Sequence, residues 1–429
     1  IGGFDLKIYE LDDLHELVLK TKTVDFFISG NGEISSYDLI LALDNKKKIG
    51  EVPGLVYLKN DEIKVNEQAK SVLLKPDFNG LPLRKYRWVI GKEFKHRLIK
   101  GKEDSFLILP FRFIDGCPYH CIYCGSSIKN RLNFLTPQNA VMYLKELSKE
   151  YNTPYFYFIH DLINISKSYV SKFCDEIIKN ELKIYWTDMA TIRNMDKEIL
   201  NKMRKAGCIS LWFGVESGSQ RLLNYIEKGI TKKQISEVLR WSHESGIWTC
   251  VEIIPGLPTE TEYDIAQTIS FLKENSRFID IINFSPFRLG KSKIFYYLEK
   301  YGLKILYSNN EMGLEDAYYA FDEINGLKWA DKKKQIYYSN KKIRFSSPIK
   351  SEVLCFDFSP LIFMLYSNFE DKETIRRVYK EINRKLYFYL LYKPKILFKY
   401  VKDIKTLNEV KSLAKSLIKE YSTASIVPK

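Results

Sequence analysis

Residues 111–127 read FRFIDGCPYHCIYCGSS, and three of the chain's seven cysteines fall inside them as Cys117-x3-Cys121-x2-Cys124. The three cysteines follow an apolar run over 106–114 and precede a polar, glycine-containing turn, so three thiols share one loop. Thiolate is the ligand of iron–sulfur clusters, and three of them can hold three irons of a four-iron, four-sulfur cubane. If no fourth cysteine reaches the site, one iron stays open to a substrate. Cys174, Cys208, Cys250 and Cys355 are far apart, and none forms a second CxxC pair. The competing readings are a zinc site completed by His120 or a remote cysteine, and three unligated thiols. His120 directly precedes Cys121, and neighbours on a tight loop seldom both point at one small metal.

Downstream of the loop, short apolar runs alternate with amphipathic helices, which is the pattern of βαβ units and a parallel sheet. Thr136-Pro137 opens a helix whose Ala140, Val141, Leu144 and Leu147 line one face. Strands are expected over 155–159, 184–186, 209–213, 247–254 and 279–284, with helices between them. Cys174 falls on the apolar stripe Val170, Phe173, Ile177 and Ile178 and reads as core packing; Cys208 lies at the mouth of the 209–213 strand. Glycines 207 and 246 end two of the helices, and Thr231-x-x-Gln234 is a capping box. Six βα repeats predict an α/β fold, a partial (βα)6 TIM-like barrel. In such barrels the loops after the strands converge on one mouth. Those loops carry the cysteines, then His160 and Asp161, then Thr187, Asp188 and Arg193, then residues 214–219 and 255–260.

The cysteine spacing, with Tyr123 immediately before the third thiol, resembles the signature of the radical S-adenosylmethionine (SAM) superfamily. Two further stretches are similar to motifs of that family. They are Ala206-Gly207-Cys208 with Phe213-Gly214-Val215-Glu216-Ser217-Gly218-Ser219, and Ile253-Ile254-Pro255-Gly256-Leu257-Pro258-Thr259-Glu260-Thr261. The resemblance implies a 4Fe-4S cluster on Cys117, Cys121 and Cys124, the open iron being chelated by the amino and carboxylate groups of SAM. It implies that Tyr123 neighbours the cofactor, that Glu216 and Ser217 face the ribose, and that Gly256 and Leu257 lie beside the adenine. Arg193 would pair with the methionine carboxylate, a surface salt bridge being the alternative. Many members carry Gly-Gly-Glu where this chain has Ile159-His160-Asp161, so Asp161 would accept the amino hydrogens instead. His160 is open between a substrate-side acid or base and a strand cap.

The expected division is 1–75, a remnant of a cobalamin-binding-like, Rossmann-type α/β domain; 76–104, a linker; 105–300, the barrel; and 301–429, a basic, mainly helical accessory region. Gly2-Gly3, the helical spacing of Leu11, Leu14, Leu17 and Val18, the Val24–Gly30 strand and the 34–43 helix carry the first reading. Gly30-Asn31-Gly32-Glu33 is similar to a stretch of the cobalamin-domain branch, many of whose members methylate carbon or phosphorus. That branch's cobalamin-ligating Asp-x-His-x-x-Gly would lie upstream of the glycine pair, so these residues alone do not supply it. Gly54–Leu58 and Glu62–Val65 around Lys59-Asn60-Asp61 predict a hairpin.

The net charge of +14 is uneven, since residues 371–429 carry 15 Lys or Arg against 6 Asp or Glu. Such a tail suits nucleic acid, an acidic leader peptide or a membrane surface, or is a solvated helix face such as the one over 413–418. No apolar run reaches the roughly 18 residues of a membrane span. Clustered, unpaired cysteines suggest a reducing, cytoplasmic setting. The resemblance implies reductive cleavage of SAM to a 5′-deoxyadenosyl radical that takes hydrogen from a small-molecule or peptide substrate, with an external electron donor such as flavodoxin or ferredoxin. Cobalamin-dependent methyl transfer to a peptide or natural product is one outcome, and radical cyclisation or rearrangement another. A non-catalytic zinc or electron-transfer module is the reading from a different class.

Overall fold

The computed structural model describes residues 24–29, 32–60, 62–67, 72–89, 105–128, 132–306, 319–349 and 359–381. The glycine pair at 2–3, the spacing over 11–18, Cys355 and the 413–418 helix lie outside them. The first described elements are β1 (Phe26–Ile28), α1 (Gly32–Leu43), β2 (Leu55–Lys59) and β3 (Glu62–Val65). The expected hairpin forms, with Lys59 opposite Glu62. β1 joins it antiparallel, Phe27 opposite Val56, so the pieces read as the end of a doubly wound unit form a three-stranded antiparallel sheet with a helix.

The six-stranded sheet follows: β4 (Ile108–Phe111), β5 (Tyr155–Phe158), β6 (Tyr185–Ala190), β7 (Cys208–Glu216), β8 (Trp248–Ile253) and β9 (Ile281–Phe284). Neighbours in space follow chain order, and every pairing is parallel. Parallel neighbours need long crossovers, supplied by α2 (Pro137–Glu150), α3 (Lys167–Lys179), α4 (Lys197–Lys205), α5 (Gln220–Tyr225) with α6 (Lys232–Glu244), and α7 (Glu262–Glu274). Each crossover helix starts on a side chain that accepts from its own first turn: Thr136, Ser166, Asp196, Ser219, Thr231 and Thr261. Such a cap satisfies a backbone donor that would otherwise be orphaned.

Strand residues alternate between two environments. Leu109, Phe156, Trp186, Phe213 and Val251 are buried in the main core with the buried faces of α2 to α7. The opposite face is the barrel lumen, and its lower end is closed by the C-terminal region. There α9 (Ser359–Asn368) places Ile362, Phe363 and Leu365 in one core with Trp248, Cys250 and Ile281. A helical run over 372–381 adds Lys372 and Arg376, which both pair with buried Asp280. Beyond β9 come β10 (Leu303–Ile305), β11 (Phe321–Glu323) and the long α8 (Trp329–Ser346), which packs on α7. Among the described residues no helix is long and apolar enough to cross a membrane.

The strand expected over 184–186 extends to Ala190. Its continuation holds polar Thr187 and Asp188, both buried, which an apolar run does not reveal.

Candidate functional site

The chain enters the cysteine loop under tight control. The Phe113 N–H donates to His160 Nε2 at 3.0 Å, so the imidazole proton sits on Nδ1, which lies 2.6 Å from Asp188 Oδ2. Both side chains are fully buried. His160 thus ties the segment after β4 to β6 from within the core, the strand-capping side of its two readings. Within the loop, buried Ile122 is the apolar anchor: its N–H donates to the Ile226 carbonyl at 3.2 Å, and its own carbonyl accepts from Ile294 at 2.8 Å. A Cys124 N–H to Cys121 carbonyl bond of 3.1 Å closes the turn between the last two thiols.

Cys117, Cys121 and Cys124 are each half-buried. Burial pushes the Cys117 thiol up to about 11, with the Tyr119 N–H opposing and the charges of Cys124, Asp161 and Cys121 adding to the rise. Cys124 is raised by the same leading cause. These thiols resist ionising without a compensating cation, which is what iron supplies. Among the described residues no three His, Cys, Asp or Glu side chains gather round one metal ion. A cubane takes one thiolate per iron, so it asks only that the sulfurs ring it.

Asp161 stands at the edge of this loop. Its Oδ1 accepts from Ser126 Oγ at 2.9 Å, while buried Oδ2 has no partner among the described residues. A buried carboxylate oxygen left unpaired is costly, and a ligand donor would satisfy it. The donor set and this oxygen fit a cluster with an amino group beside it.

Glu216 follows a register shift in β7 and holds φ at 65°. Its Oε1 accepts from Tyr123 Oη at 2.7 Å and from Lys228 Nζ at 2.7 Å, and Lys228 also reaches Tyr123 Oη at 3.1 Å. Burial pulls the Lys228 ammonium down, but Glu216, Cys121 and Cys124 outweigh it and hold it charged. Lys228 was not singled out in the sequence, where it belongs to none of the motifs named above.

Arg193 is not a surface salt bridge. Its guanidinium lies 4.3 Å from the centre of the Tyr119 ring and donates to the Lys228 carbonyl, with no carboxylate partner among the described residues. The remaining expected residues face elsewhere. Ser217 Oγ lies 3.2 Å from Thr268 Oγ1 on α7 and accepts from the Ser219 N–H at 3.1 Å, so it serves the turn into α5 instead of facing the mouth. Gly256 has φ of 80°, and a Cβ there would meet Ile336 Cγ1 at 2.5 Å. The bareness that suggested approach to a flat base is thus occupied by α8. Leu257 is buried in the core, and its carbonyl accepts from Lys332 Nζ at 2.7 Å. Local motif shape carried these three residues into the expectation, whereas their neighbours come from α7 and α8, distant in sequence.

Residues 111–272 match the Radical SAM superfamily model. The chain is 26% identical over 262 residues to a protein named uncharacterized methyltransferase PH0819 from Pyrococcus horikoshii, covering 58% of this chain and 53% of that one. It is 23% identical to an anaerobic magnesium-protoporphyrin IX monomethyl ester cyclase from Rubrivivax gelatinosus, covering 58% of this chain and 45% of the relative. It therefore spans about half the length of these curated relatives. In fold it is similar to the radical SAM methyltransferase TsrM from Kitasatospora setae, with a TM-score of 0.60 at 15% identity over 86% of this chain and 78% of that one. The cobalamin-dependent SAM radical enzyme OxsB gives a TM-score of 0.59 at 14% identity over 99% and 67%.

Proposed function

We propose, for a chain that carries a radical SAM domain over residues 111–272, that Cys117, Cys121 and Cys124 hold a 4Fe-4S cluster and that SAM docks between Asp161, Glu216 and Arg193. The observation that carries this reading is the buried Oδ2 of Asp161 at the rim of the three-cysteine loop, which has no partner among the described residues. When bound, the reduced cluster supplies one electron that cleaves SAM to methionine and a 5′-deoxyadenosyl radical able to take hydrogen from substrate.

The chain's own residues orient and exclude. Asp161 Oδ2 accepts from the amino group. The Arg193 donors not used by the Lys228 carbonyl pair with the carboxylate. Glu216 Oε1 is already committed to Tyr123 and Lys228, which leaves Oε2 for a ribose hydroxyl. Buried Ile122 and the Tyr123 ring keep water from the inner side of the loop.

The methyltransferase names of PH0819 and TsrM support methyl transfer as the outcome, with an external one-electron donor. The cyclase name borne by the Rubrivivax relative supports the second reading, radical cyclisation without methyl transfer. Transfer of isotope from methyl-labelled SAM to product separates the two. The test of the shared step is anaerobic reconstitution, strong reductant and mass spectrometry for 5′-deoxyadenosine. The wild-type chain should form it, and Cys117→Ala, Cys121→Ala and Cys124→Ala should each lose it; undiminished product in those variants would defeat the assignment.

A further inference from the structure

The lumen above α9 holds a carboxylate whose charge nothing in the described chain balances. Register places Tyr157, Thr187, Met189, Gly214, Glu252 and Asn283 on the lumen face, each one or two lumen-facing positions beyond the residues of its strand that α9 covers, while Trp212, packed against the α9 core, forms the floor. Tyr157, Met189, Trp212 and Glu252 keep part of their surface open. Glu252 accepts from Asn283 Nδ2 at 2.8 and 3.0 Å and from Ser285 Oγ at 3.2 Å. These neutral donors fix the carboxylate in place without neutralising it. Burial raises its affinity for a proton, and nearby Glu216 adds to the rise.

Four other acids around the barrel each have a cation at ion-pair distance. Glu216 has Lys228, Asp264 has Arg221, Asp280 has Lys372 and Arg376, and Glu323 has Lys332. Among the described residues Glu252 has no such cation. A second, independent feature lies on the same face: Thr187 is buried, and its Oγ1 has no partner among the described residues.

Position ties this chamber to the proposed cofactor site. Gly214 pairs in register with Glu252, and a Cβ on Gly214 would meet Lys228 Nζ at 2.8 Å. The Glu216–Lys228 pair therefore sits over the neighbouring strand, one residue pair from Glu252.

We propose that this chamber receives the substrate and that Glu252 selects one bearing a cationic nitrogen on a flat or apolar body. The nitrogen would lie against the carboxylate and the body over Trp212 and Tyr157. An uncompensated carboxylate favours a cation, and the part-open ring of Trp212 at the chamber floor favours it further. Thr187 Oγ1 adds a polar contact for the same ligand. The inference rests on the radical SAM reading only for which end of the barrel is reactive, and it extends that reading to the substrate class.

The test uses the reconstituted full chain under anaerobic conditions and two probes of one shape, 2-phenylethylamine and 2-phenylethanol, by equilibrium dialysis. The amine should bind roughly tenfold or more tightly than the alcohol, the scale of one charge-assisted contact. Glu252→Gln should bring the two probes close to parity, whereas Glu274→Gln, on the outer face of α7, should keep the preference. Equal binding of the probes to wild type, no saturable binding of the amine, or an undiminished preference in Glu252→Gln would each overturn the inference. Cleavage of SAM by the wild-type chain is scored separately. A protein that cleaves SAM without preferring the amine refutes the substrate class alone, and one that prefers the amine without cleaving SAM refutes the reaction alone.

Discussion

Lys228 joins more of the site than any residue the sequence singled out. Its ammonium bridges Glu216 and Tyr123, which are 12 and 105 residues away along the chain. Removing one member of a buried pair leaves the other charge unbalanced, at a cost of about 3–5 kcal/mol. Lys228→Met should lower unfolding free energy by about that amount in denaturant titration, and adding Glu216→Gln should recover a large part of the loss. A double variant as unstable as the single one would mean that the pair is not the source. The cysteines were legible because their spacing is local, and Glu216 because it stands in a recognisable stretch. Lys228 and Glu252 were not, because each takes its meaning from partners on other strands. Ser217, Gly256 and Leu257 were singled out from a familiar stretch, and in the structure their neighbours include Thr268 on α7 and Ile336 and Lys332 on α8.

At the scale of elements, helix periodicity was the most readable signal. The caps at Thr136 and Thr231 stand where their residue types suggest. Strands were read short wherever a polar residue continued them, as Asp188 does under the cover of His160. The antiparallel entry of β1 was hidden because a short apolar strand before a helix looks alike in either kind of sheet. The aromatic-rich run from Phe356 to Tyr366 suggests a covering element, but an apolar helix does not by itself say what it will cover. In the structure Phe363 is fully buried and meets Tyr155 with ring centres 5.8 Å apart. Truncating a buried phenylalanine costs about 3–5 kcal/mol. Phe363→Ala should show that loss in denaturant unfolding, with the slope unchanged if α9 stays docked. A loss near zero would show that α9 does not close the lumen in solution.

For the whole molecule, the sheet sets the arrangement that function needs. Its loops bring Cys117 to Cys124, Asp161, Arg193 and Glu216 to one end, and the C-terminal region seals the other. The barrel was legible because six apolar runs and their helices repeat along the chain, while the division of labour between its two ends depends on residues hundreds of positions apart. The proposed chemistry requires that one iron of the cluster lack a protein ligand. The measurement that meets this most directly is electron–nuclear double resonance on the reduced, reconstituted chain with SAM labelled at its amino nitrogen. We expect a hyperfine coupling from that nitrogen in the wild-type chain, weakened in Asp161→Asn. A reduced cluster whose spectrum carries no such coupling at saturating SAM would contradict the account.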